Sequence, residues 1–361
     1  MINPEESALV SMIDSDIRDG ELYGACQVAV FRDGVAVLDH AAGRDHRGRL
    51  IRSDSLTALY CAAKPLGSVA ALALIDAGEL SADDKLAHLI DGCPPAWGAV
   101  TVESLLAHRS GAPGDDGFSF RLTPPTLRWS KVAAAAPRRS GRRTRYSEFT
   151  GWYLLGHALE CVTGLAYDQL LEELVVRPLG LRSSEILTGP VGAAWCDYGD
   201  RLVARRDVTG ARPYTLLAEA AREVYDEFNP GFGGCGSMRA MAEFYARLLQ
   251  CMEGERDSLS SSVLRWATAS SGPVFDETTA REVGLGKGFM TELETWGYGR
   301  ALSGRAFGHS GHEGTTATFA DPDAGLAAAV WFDTIVDYDT ATLIRRPRLV
   351  RAIYDEFGRA A

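Results

Sequence analysis

Cys61-Ala62-Ala63-Lys64 sets a thiol and an ammonium three residues apart. On a helix that spacing brings both side chains to one face. A thiol at a helix start feels the positive end of the macrodipole, and the neighbouring lysine adds a second positive charge. Both favour the thiolate, the form of cysteine that attacks a carbonyl carbon. The stretch therefore suits covalent acyl chemistry. Four residues alone also fit a buried cysteine beside a solvated lysine, so the rest of the chain has to decide.

Patterning predicts the elements that would position this pair. CAAKPLGSVAALALIDAGEL reads as an Ala/Leu-rich helix that stops at Gly78. Residues 1 to about 20 read as a helix, with Leu9, Val10, Ile13 and Ile17 at helical spacing. Two apolar runs around Arg32-Asp33-Gly34 read as a β-hairpin. From about residue 80 to 265 the pattern is mostly helical, with helix starts at Thr101 and Ser237. From about 296 it turns strand-like: GYGRALSG, RAFGHSGHEG, TTATFADPDAG and LAAAVWFDT are short runs divided by turn chemistry. ATLIRRPRLVRAIYDEFGRAA closes the chain as a helix. Strands at both ends with helices between predict an α/β fold. Residues 1–60 and 266–361 would form the sheet domain and 61–265 a helical domain, with the active site at their interface. GFGGCG at 231–236 reads as a turn, because the charged AREVYDEFNP before it is no buried strand for a dinucleotide loop.

The bulk numbers narrow the partners. The 361 residues carry a formal net charge of −11, which argues against nucleic acid. No apolar run is long enough to span a bilayer, and the first residues lack a basic-then-apolar leader, so a cytoplasmic protein is expected. The seven cysteines show no paired or zinc-finger spacing, and the other six read as buried small hydrophobes. His309 and His312, three apart on a strand, would face opposite sides, so no metal site is expected, nor any cofactor.

Five segments carry a resemblance to a known family. TALYCAAKPLGSVAALALIDAGEL resembles the nucleophile segment of the serine β-lactamase and penicillin-binding-protein superfamily, Ser-x-x-Lys opening a long apolar helix, with Cys61 where the serine stands. TVESLLAHRSGAP resembles the LLTHTSGLP stretch of class C β-lactamases and related esterases. RYSEFTGWYLLGHALECVTG resembles the second motif, whose Tyr-x-Asn element here reads Tyr146-Ser147-Glu148. NPGFGGCGSMRAMAEFYARLL resembles the following glycine turn and helix. FGHSGHEGTTATFADPDAG resembles the Lys-Thr-Gly strand, here His309-Ser310-Gly311. The order is preserved from about residue 20 to 335.

The resemblance implies a β-lactamase-like fold: an antiparallel sheet flanked by the terminal helices, with an inserted helical domain. It implies that Cys61 attacks an acyl carbonyl while Lys64 and Tyr146 share the proton work. The backbone N–H groups of Cys61 and His312 would form the oxyanion hole. Glu148, Trp152, His309, Ser310 and Gly311 would line the substrate cleft.

Two departures bear on function. Glu148 replaces the amide side chain, which disfavours a penicillin-type ligand and offers a carboxylate to an amine acceptor or to Lys64. Cys61 would form a thioester, which reacts with amines in preference to water far more than an oxygen ester does. The expected activity is therefore a transacylase of small-molecule metabolism that forms an ester or amide. The alternatives are a hydrolase (esterase, thioesterase or amidase) and a catalytically inactive binding homologue. The partners are a small-molecule acyl donor and acceptor, with no nucleic acid and no membrane. The donor is free or bound to a carrier protein or coenzyme A. PRRSGRRTR, at 137–145, is the one strongly basic stretch. Its Arg142 and Arg143 are candidates for docking an anionic donor, against the alternative of a solvated loop.

Overall fold

Asp33 and Gly34 have φ of 49° and 75°, the left-handed pair of a type I′ turn whose twist matches that of the strands it joins. The turn links β1 (Ala25–Arg32) to β2 (Val35–Gly43). The structure, a computed structural model, describes residues 6–20, 22–45, 48–114, 123–138, 143–187, 201–207, 230–231 and 233–358. Six further strands complete the main sheet: β3 (Val274–Asp276), β4 (Arg281–Leu285), β5 (Met290–Thr291), β6 (Phe307–Ser310), β7 (Thr316–Asp321) and β8 (Leu326–Phe332). All neighbours are antiparallel, in the order β2-β1-β8-β7-β6-β5-β4-β3.

β8 shows why the sheet is sandwiched. All seven of its residues are buried, and alternate ones serve opposite faces. Ala327, Ala329 and Trp331 join one core with Met241 and Leu248, whereas Ala328, Val330 and Phe332 join another with Leu9, Ile13, Val350 and Ile353. The first face is covered by α4 (Met238–Met252), which packs on β1, β7 and β8. The second is covered by α1 (Ala8–Asp19) and α5 (Arg346–Phe357), which pack on each other. The sequence grouped α4 with the intervening helices. Its packing surface is the sheet.

α2 (Lys64–Asp76) is the central helix of the other body of helices, with ten of its residues buried. It packs against α3 (Thr150–Thr163) and ends where Gly78 turns left-handed at φ 74°. The two helix starts lie where patterning put them. Thr101 makes a capping box with Ser104, and the Ser237 hydroxyl accepts from the Ala240 N–H. GYGRALSG is not a strand: Gly297 and Gly299 are left-handed, at φ 77° and 83°, and the segment turns after a 3-10 helix, Leu293–Trp296. The short strands β3 to β5 lie ahead of residue 296, where the sequence first looks strand-like. No helix among the described residues is long and apolar enough to cross a membrane.

Candidate active site

The short strand Leu56–Ala58 delivers the chain to a 3-10 turn, Tyr60–Ala63, that runs directly into α2. Cys61 is thus at a helical start and Lys64 one turn further on. Tyr60, just before the nucleophile position, has φ 50°. A left-handed conformation at a bulky residue costs about 1–3 kcal/mol and persists only where its surroundings enforce it.

Lys64 is fully buried. Its Nζ donates to the Glu148 carbonyl at 3.1 Å and to the Gly231 carbonyl. It also lies 5.2 Å from the Tyr146 ring centroid and 5.7 Å from that of Trp152. Carbonyl dipoles and aromatic faces thereby take the place of water around the ammonium. Residue 231 has to be glycine, since a Cβ there would come within 2.3 Å of the Glu148 oxygen. The expectation that the Glu148 carboxylate pairs with Lys64 is replaced by a bond to its main chain.

Tyr146 lines the same cleft as Cys61 and lies close enough for the two side chains to act on each other. The main chain of Tyr146 is pinned by Asp276 Oδ2, which accepts from its N–H at 2.7 Å, and by Thr278 Oγ1, which donates to its carbonyl at 2.8 Å. Its pKa is pushed well above the ordinary 10, first by burial and then by Cys61 beside it, with Glu148 and Asp276 adding to the shift. Tyr146 is therefore a hydroxyl and not a phenolate.

Two buried imidazoles complete this side. His108 stacks on Tyr146 at 4.5 Å, and its Nδ1 accepts from the Ser147 N–H at 2.9 Å, which assigns its proton to Nε2. Burial, then Lys64, then His309 hold its pKa well below the ordinary value. His309 places Nδ1 2.9 Å from the Ser310 carbonyl and is held down to about 3, by burial first and then by Lys64. Both rings stay neutral around the single ammonium. His108 was not singled out in the sequence, although it lies within the LLAHRSG motif. Only the fold shows that it stacks on Tyr146.

On the opposite side His312 opens a 3-10 turn after the extended Gly311. Like Cys61 it stands where opening N–H groups point out of the turn. Its ring stacks on Tyr60 at 5.4 Å. A cleft of about 720 Å³ is lined by Cys61, Tyr146, Glu148, Ser310, Gly311 and His312, together with Arg281, Glu313, Tyr338 and Asp339. Two expected lining residues lie elsewhere. Trp152 is 2% exposed and packs behind Lys64, and His309 is 1% exposed and lies beside Tyr146, so both shape the wall from within. Arg143 is exposed outside the cleft, over the Phe275 ring at 5.3 Å and 4.0 Å from Glu277. Arg142 lies outside the described residues.

These features agree with the comparisons with known proteins. The profile of the beta-lactamase family matches residues 13–345, and the chain belongs to that family. Penicillin-binding protein 4 of Amycolatopsis lactamdurans is 32% identical over 168 residues, 44% of each chain. Esterase EstB of Burkholderia gladioli is 29% identical over 198 residues, 48% of this chain and 50% of the esterase. The chain thus spans about half the length of the curated relatives it matches. The solved structure of EstCE1, described as a hydrolase with promiscuous acyltransferase activity, superposes with a TM-score of 0.77. It is 19% identical, with 96% of this chain and 97% of that one covered, a likeness of fold.

Proposed function

We propose that the protein transfers acyl groups through a thioester on Cys61, as a transacylase of small-molecule metabolism that forms an ester or amide. The observation that carries this reading is that Cys61 and Tyr146 line one cleft, with the buried Lys64 ammonium against the Tyr146 ring. The names of the relatives, an esterase and a hydrolase with acyltransferase activity, support the reaction class.

In this reading the Cys61 sulfur bonds to the donor's acyl carbon and the thiol proton passes to Tyr146. The Tyr146 hydroxyl gives its own proton to the leaving group as the bond to that group breaks. Tyr146 stays neutral in each step, as its raised pKa requires. Lys64 offsets the negative charge that develops near the sulfur, and the N–H groups of Cys61 and His312 receive it on the carbonyl oxygen. In the second half the acceptor attacks the thioester, surrenders its proton through Tyr146 and releases Cys61 as the thiol. Glu148, on the cleft wall close enough to act on Tyr146 through its charge, is the group that would meet an amine acceptor.

The test is intact-protein mass spectrometry of wild type and Cys61→Ala with a panel of acyl thioesters and esters, with and without an amine. The expected result is a mass increment that needs Cys61 and is discharged faster by amine than by water. Equal discharge by water alone would make the protein a hydrolase. No increment from any donor would favour a binding homologue.

A further inference from the structure

We infer that Arg205 is a positioning residue that holds the two halves of the oxyanion hole in register. The inference rests on the acyl-transfer reading above. Residues 201–207 form a strap across the site. Leu202 and Val203 pair in parallel with Leu56 and Thr57, on the strand that leads to Cys61. Arg206 and Asp207 pair with Thr334 and Ile335, just beyond β8. Arg205 lies between these two pairings and is 2% exposed.

Its guanidinium reaches both sides of the hole. Nη1 donates to the His312 carbonyl at 2.9 Å and to Thr315 Oγ1 at 2.8 Å, and Thr315 Oγ1 in turn donates to that same carbonyl at 2.9 Å. Nη2 stands 3.5 Å from His312 Nδ1. The face of the guanidinium lies over the Tyr60 ring at 4.3 Å, and that ring stacks on His312. One planar group therefore grips the residue before Cys61 and the residue that carries the second N–H. This use depends on a flat fork, which lysine lacks.

The backbone on both sides needs such a grip. Tyr60, preceding Cys61, has φ 50°, and Glu313, following His312, has φ 56°. Neither conformation is one that its residue type prefers. Two N–H groups serve an oxyanion only when both converge on the position it will occupy. Relaxation at either residue would turn one donor away. Arg205 does not line the cleft and acts through Tyr60 and His312.

The experiment compares two reactions of the same thiol. Acylation by p-nitrophenyl acetate passes through an oxyanion, whereas alkylation by iodoacetamide displaces iodide and forms none. Both rates are measured at Cys61 for wild type, R205K and T315V, with N-acetylcysteine as the free-thiol reference. For R205K acylation should fall about 10- to 100-fold, below the loss from deleting an oxyanion donor outright, with alkylation within about twofold of wild type. T315V should lose about threefold to tenfold in acylation alone, and it decides the question if R205K does not fold. Unchanged acylation in a folded R205K, with wild type well above the free thiol, would overturn the role of Arg205 and leave the acyl-transfer reading standing. A parallel fall in both rates would also overturn it, since Arg205 would then support the thiol and not the hole. A wild-type ratio of acylation to alkylation equal to that of N-acetylcysteine would overturn both readings.

Discussion

Lys64 and Arg205 are both buried cations close to Cys61, and they are held in different ways. The Lys64 ammonium is a compact charge caught by two carbonyls and two aromatic rings. The Arg205 guanidinium is spread flat between a ring, a carbonyl and a hydroxyl, and reaches the thiol only through Tyr60. In the proposed reaction the first placement makes charge available where a proton moves. The second spends its hydrogen bonds on shape. Loss of Lys64 should therefore change the chemistry itself, while loss of Arg205 should change how well the hole fits its oxygen.

Substitution at Cys61 sets the scale of this contrast. Cys61→Ala should abolish acylation, seen as no mass increment. Cys61→Ser should retain a slower reaction whose product shifts from amide towards acid in a competition between amine and water. Lys64→Met should come next, with kcat lower by about 10³- to 10⁴-fold in steady-state assays. It should also lower stability by about 1–3 kcal/mol, because one buried and one half-buried carbonyl lose their donor. If Lys64→Met cost no more than R205K, the contrast between charge and shape would fail.

Tyr146→Phe keeps the stack on His108 and removes the relay, so acylation should fall about 10²-fold in a stopped-flow assay. Because the Tyr146 pKa is raised, its hydroxyl stays protonated up to and beyond pH 10. The wild-type rate profile should therefore show no alkaline fall from this group below pH 10.

The neutral imidazoles around Lys64 give a sign in acid. An unfolded chain protonates His309 near 6.5, whereas the folded protein resists until about 3. Its contribution is complete above 6.5 and is lost as pH falls towards 3. The unfolded state binds the proton first, at about 1.4 kcal/mol per pH unit. His309→Asn should flatten the acid side of a urea-unfolding series by that slope. The smallest effect is expected at Glu148: Glu148→Gln should reduce the partition towards a cationic amine acceptor by a few-fold, read from product ratios.

Local chemistry was legible in the sequence wherever one residue fixes it. Asp33-Gly34 announced a turn that needs two left-handed residues, and Gly78 announced a helix end. Cys61, Lys64 and Tyr146 were legible because their types and spacing carry chemistry. Burial was not legible. Trp152 and His309 looked like cleft residues, but depth depends on which element packs behind them. Arg205 stood in RLVARRD as one arginine among several, in a stretch that resembles no motif. Its role depends on two pairings with distant strands, and no local pattern encodes such pairings.

The same distances along the chain govern how the site comes to exist. The acceptors of Lys64 lie 84 and 167 residues away, and those of Arg205 lie 107 and 110 away. Each bond closes a long loop, whose entropy has to be spent before the contact can form. The hairpin at Asp33-Gly34 and helix α2 need no such closure and can form early. A refolding chain will therefore possess its thiol, and the helix that carries it, before it possesses the assembled site. Chemical competence becomes a late marker of the native state, gained after secondary structure is already in place.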